Sequence, residues 1–155
     1  MKQRINVLEK GQKAISGLLQ LSKSLSHSSV EKGLLNLLYF RVSQINGCAM
    51  CLDMHSKDLM AEGENEQRLF VLDAWRDAPF YTERERAALA YAEALTTLKD
   101  KVVPDAIFNE LKTQFSDNEI IDLTIAIIAI NSWNRLNIAF GAPVGTYRVG
   151  QFNYN

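Results

Sequence analysis

Apolar positions recur at helical spacing along nearly the whole chain, and no stretch alternates with the period of a strand. Residues 6–25 carry Val7, Leu8, Ile15, Leu18, Leu19 and Leu21, a pattern that predicts one helix weakened by Gly11 and Gly17. A Ser-rich stretch, 22–29, follows and reads as a loop holding His27 as a solvated residue. Ser28 and Glu31 stand at capping-box spacing and predict a second helix to about Gln44. Leu34, Leu35, Leu37, Leu38, Phe40 and Val42 crowd that helix, so it should be buried on most sides, within the protomer or against another subunit. A third helix runs from about Cys48 to Glu62, with Gly63 suited to the position after its end.

Residues 64–75 predict a short amphipathic helix with Leu69, Phe70 and Leu72 on its apolar side, closed off before Pro79. Thr82 and Glu85 form a second capping box, opening an Ala-rich helix to about Leu98. Pro104 fits the first position of a helix reaching about Phe115. Ser116 and Glu119 give a third capping box, and the longest helix follows to about Phe140, with Gly141 behind it. Its run 125–130 is apolar all round, which marks it as the central buried helix and is far too short to span a membrane. The tail 145–155 has no periodicity and is expected to dock on a neighbouring subunit or stay loose. The whole reads as an all-α, single-domain bundle of about seven helices.

With 155 residues, the chain is long enough for one domain with a real core. A net charge of −1 and the lack of any Lys/Arg run give no footprint for nucleic acid. No apolar segment follows the first residues, so no signal peptide is expected, and the setting should be a reducing, cytoplasmic one. There a Cys-x-x-Cys is more often catalytic than structural.

Both cysteines fall in one such motif, Cys48 and Cys51, with His55 four residues on. Asn46 and Gly47 break the backbone just before, so Cys48 should stand at a helix N-terminus, where free N–H groups and the macrodipole favour a thiolate. Cys51 lies roughly 5–6 Å away on the same helix face, near disulfide range, and His55 follows one turn below. A low-pKa sulfur, a partner in reach and a proton carrier are what a reversible dithiol requires. As metal ligands the three fall short of the four that structural zinc takes, and His27 has no ligand spacing around it. A thioredoxin-type reading needs a βαβ context that is absent from the pattern. No cofactor is expected.

The run 41–55, from Arg41 through Asn46, Gly47, Cys48, Cys51 and His55, resembles the core motif of the alkylhydroperoxidase D-like branch of the carboxymuconolactone decarboxylase family. The likeness continues through 66–69, 82–90 and 129–135, covering about 30–140. The resemblance implies an all-helical fold, assembly into homo-oligomers such as trimers or hexamers, and thiol peroxidase chemistry. It assigns Cys51 as the cysteine that attacks peroxide, Cys48 as the resolving one and His55 as proton relay, with a small-molecule peroxide as substrate and an external dithiol as reductant. Decarboxylases of the family generally lack the Cys-x-x-Cys. One position departs from the pattern: twelve residues before the first cysteine, where the relay carboxylate belongs, stands Asn36. An amide accepts no proton at neutral pH. Glu93, flanked by Ala90, Ala92 and Ala94, is the expected substitute base, its pKa raised by burial, unless it lies on a solvated stripe with Arg86 and Thr97. The alternative function is a redox sensor or electron-transfer module of low turnover.

Overall fold

The computed structural model describes residues 2–152; Met1 and 153–155, the end of the tail, lie outside the described residues. Gly11 splits the first expected helix into α1 (Val7–Lys10) and α2 (Gln12–Leu25). The Gly11 N–H closes α1 on the Val7 carbonyl, and a β-carbon there would stand 2.9 Å from that oxygen. Helix α3 (Lys32–Asn46) does not start from the capping box expected at Ser28. Both hydroxyls of Ser28 and Ser29 and the Ser29 N–H instead converge on one carboxylate oxygen of Asp122, at 2.8–2.9 Å. Glu31 becomes the N-cap residue with no side-chain bond to the helix.

Next come α4 (Ala49–Ala61) and α5 (Glu66–Phe70), the latter followed by a 3₁₀ turn at Leu72–Ala74. The helix expected over 64–75 is thus two short pieces, and Phe70 points outward, 73% exposed, instead of lying on the apolar side. The capping box at Thr82 forms and opens α6 (Glu83–Thr97). Leu98 ends it in the left-handed region, before a 3₁₀ turn at Lys99–Lys101. Pro104 is the N-cap, not the first turn, of α7 (Asp105–Gln114). The third capping box, at Ser116, forms and opens α8 (Asp117–Phe140), which Gly141 ends.

All regular structure among the described residues is helical. Helix α3 packs against α4, α6 and α8, and Leu35, Leu37, Leu38 and Val42 are buried there without any second subunit. Its stretch 34–43 holds no exposed residue, whereas the same is not true of α8. Helix α8 contributes Leu123, Ala126, Ile127 and Ile130 to the core but leaves Ile121 and Ile128 outside, 60% and 46% exposed. Part of the tail docks on the chain's own α4. The Gly145 N–H donates to Asp53, Lys57 donates to the Tyr147 carbonyl, and the Tyr147 hydroxyl donates to Asp58 at 2.7 Å. No helix among the described residues is long and apolar enough to cross a membrane.

Candidate active site

The turn between α3 and α4 fixes the cysteine pair. Gly47 adopts φ +69°, ψ +32°, a left-handed conformation that costs glycine little, although a β-carbon there would meet no neighbour. The Gly47 N–H returns to Gln44 and the Cys48 N–H to the Ser43 carbonyl. The Asn46 amide donates to the side-chain oxygens of both Asn131 and Asn134 on α8, at 2.9 Å each. Asn134, fully buried, donates in turn to the Ser43 hydroxyl at 3.0 Å. Four polar side chains therefore clamp the end of α3 to α8, each satisfying another, as buried polar groups must.

Cys48 is the N-cap residue of α4, at φ −84° and ψ 93°, and makes no side-chain bond to the first turn. It is joined to Cys51 as a disulfide, with Cα atoms 5.4 Å apart. Both cysteines are buried. The Asn137 amide of α8 donates to the Cys51 sulfur at 3.3 Å and reaches the Met50 sulfur at 3.7 Å. The same donor would stabilise a Cys51 thiolate after reduction. His55, one turn further on the buried face of α4, has both ring nitrogens shielded and without a hydrogen-bond partner. Burial drives its pKa down to about 4, so the imidazole is neutral near pH 7. Its neighbour is the Tyr39 ring, 5.3 Å away between centroids. Burial likewise pushes the Tyr39 hydroxyl pKa up.

The structure brings Cys48, Cys51 and His55 together, and neither Asn36, at the position of the relay carboxylate, nor Glu93, the expected substitute base, bonds to them. Asn36 donates to the Glu62 carboxylate at 2.9 Å, which also pairs with Lys32. Glu93 does not lie on a solvated stripe, its side chain being 14% exposed. Its carboxylate accepts from Arg41 and from the Trp75 indole, each at 2.8 Å, and pairs with Arg76 at 2.6 Å. Burial raises its pKa, but the bonds from Trp75, Arg76 and Arg41 outweigh that and hold the carboxyl below its ordinary value. The expectation of a raised pKa is corrected accordingly, and no hydrogen bond joins Glu93 to either cysteine or to His55. His27 is exposed, beside Ser26. Asn137 is the residue that sequence reasoning missed. Its signal was the spacing Asn131, Asn134, Asn137, which repeats every three residues along one side of a helix. Among the described residues, no group of three or more His, Cys, Asp and Glu side chains gathers where it could hold a metal ion.

Fold and site define an all-helical protein built around a buried Cys-x-x-Cys pair at a helix start. Residues 11–94 match the model of the carboxymuconolactone decarboxylase family, and the chain belongs to that family. It is 38% identical over 141 residues to the uncharacterized protein YdfG of Bacillus subtilis, covering 91% of this chain and 96% of that one. A solved structure from Agrobacterium tumefaciens, of unknown function and described as a candidate antioxidant defence protein AhpD, superposes with a TM-score of 0.90 at 38% identity, over 94% of this chain and all of that one. The debrominase Bmp8 shares the fold, with a TM-score of 0.78 at 23% identity over 89% of this chain and 74% of its own.

Proposed function

We propose that this protein is a thiol-dependent peroxidase that cycles between the Cys48/Cys51 dithiol and its disulfide. One observation carries the reading: the pair sits at the start of α4 with an amide donor on the Cys51 sulfur and an unpartnered imidazole one turn below. The Cys51 thiolate attacks one oxygen of the peroxide and breaks the O–O bond. The sulfur is oxidised to sulfenic acid, and the alkoxide leaves with a proton relayed through His55. The Cys48 thiol then attacks the Cys51 sulfur, closing the disulfide and releasing water. An external dithiol returns two electrons by thiol–disulfide exchange. The likeness to the candidate antioxidant protein supports the reading at the level of fold.

A specific observation favours a second reading, a redox sensor or electron-transfer module of low turnover. No carboxylate meets His55 among the described residues, and Asn36 is turned to Glu62. Stopped-flow oxidation of the reduced protein by cumene hydroperoxide and by hydrogen peroxide separates the two. Rapid loss of two thiols supports the peroxidase, slow loss with clean disulfide formation supports the sensor, and no loss ends both. The order of attack has its own test. In Cys48→Ser, dimedone should trap a sulfenic acid on Cys51; faster labelling of Cys48 in Cys51→Ser reverses the assignment, as the helix dipole at Cys48 would favour.

A further inference from the structure

A groove of about 460 Å³ lies along α6, between α3 and the start of α7, and neither cysteine nor His55 lines it. Ligand pockets commonly fall between about 300 and 1,000 Å³. Its concavity comes from the sequence of α6: Ala90, Ala94 and Thr97 follow one another at helical spacing and leave the floor low. Ile45 of α3 stands on one side, and Val102 and Ile107 stand on the other. Ala90, Ala94, Ile45, Val102 and Ile107 give the groove its apolar part.

Three cations, Arg41, Arg76 and Lys99, and two carboxylates, Glu93 and Asp100, line it, and a third carboxylate, Asp73, pairs with Arg41. Arg41 is buried, its side chain only 9% exposed. Its Nε donates to Glu93 and its Nη1 to Gln44 and to Asp73, which lies outside the lining, while Nη2 has no partner among the described residues. Arg76 commits Nη1 to Glu93 and lies over the Trp75 ring, 4.3 Å from its centroid, leaving its remaining nitrogens uncommitted. The Lys99 ammonium makes no hydrogen bond or ion pair among the described residues, although the Lys99 carbonyl accepts from the Val102 N–H. Glu93 so holds two guanidinium groups in place at the groove wall with donors to spare.

The edge of the groove is formed by an unusual segment. Leu98, Asp100 and Lys101 all take positive φ, at 43°, 57° and 60°, and none is glycine. Backbone held in such conformations concentrates at ligand clamps and active sites. Here it brings Lys99 and Val102 to the lining.

We propose that this groove is a second site, which binds a small monocarboxylate with an apolar body. The carboxylate meets the free N–H groups of Arg41 and Arg76 and the Lys99 ammonium, and the apolar body lies along Ala90 and Ala94. Arginine suits this role because its planar fork matches a carboxylate.

Isothermal titration calorimetry with octanoate, and with octanamide as its uncharged counterpart, tests the site. Octanoate should bind saturably at one per chain and about tenfold more tightly than octanamide, the margin expected of charge-assisted bonds. The double variant Cys48→Ser/Cys51→Ser should bind octanoate unchanged, since the dithiol lies elsewhere. Lys99→Met should weaken octanoate about threefold, as loss of an exposed cation does. Thr97→Trp, at an exposed position, should fill the groove and abolish binding. Absence of saturation into the millimolar range, equal affinity for octanamide, or undiminished binding to Thr97→Trp would each overturn the proposal. So would affinity that falls as protein concentration rises, because the groove would then be covered by a second copy.

Discussion

A sulfur that must become a thiolate inside a protein needs a donor, and Asn137 is the side chain that supplies one to Cys51. Replacing it by leucine in a Cys48→Ser background should raise the Cys51 thiol pKa by about one unit, given the usual strength of a hydrogen bond to a charged group. Thiolate absorbance against pH reads this directly, and an unchanged titration would reduce Asn137 to a packing role. His55 presents the opposite problem, a polar ring with no partner in a dry site. Its pKa falls from the ordinary 6.5 to about 4 on folding, through burial. Above pH 6.5 neither the folded nor the unfolded chain protonates it, so the stability it permits is fully present. As pH falls from 6.5 towards 4, the unfolded chain gains a proton that the folded chain refuses, and stability is lost. The loss amounts to about 3 kcal/mol at most by pH 4. Urea unfolding midpoints between pH 4 and 7 should drop less steeply in His55→Gln than in the parent protein; parallel curves would show that His55 does not titrate in this way.

At the scale of the helices, the local signals were legible and the long-range ones were not. The capping boxes at Thr82 and Ser116 formed as read, and Ser116→Ala should cost about 1 kcal/mol in the unfolding free energy measured with urea. A value near zero would mean that the grip of Arg84 on Glu119 holds the turn alone. The box at Ser28 has the same spacing but met a stronger claimant, Asp122, ninety-four residues away. The helix start at Cys48 could be read because Asn46 and Gly47 announce it locally. The anchoring of that start could not, since Asn46 finds its partners eighty-five and eighty-eight residues on. Hydrophobic periodicity records which face is apolar, not which polar residue meets which. For the same reason Glu93 looked like an isolated acid among alanines, although Arg41, fifty-two residues before it, neutralises it. The apolar run 125–130 suggested a helix buried on all sides, yet what matters is the number of neighbours, and α8 has one side without any.

That open side bears on the whole molecule. The dense apolar surface of α3 had suggested a subunit contact, but those leucines are consumed inside the protomer and argue nothing about assembly. Helix α8 supplies a better argument. Ile121 and Ile128, seven residues apart and so on one face, are both exposed, with half-buried Ile125 between them. Contiguous apolar surface of this kind marks an interaction site more often than single scattered residues do. We expect a homo-oligomer, with trimers or hexamers the forms suggested by family resemblance, and the α8 face within its contact. Light scattering at micromolar concentration should give a multiple of 17.5 kDa. Ile128→Lys, at a position already 46% exposed, should leave helicity intact and shift the population towards the protomer, because a closed symmetric contact repeats the buried charge at every copy. A parent protein of 17.5 kDa at every concentration would end the expectation of assembly. An assembly untouched by Ile128→Lys would move the contact away from α8, leaving Phe70, the most exposed large apolar side chain among the described residues, as the next surface to mutate.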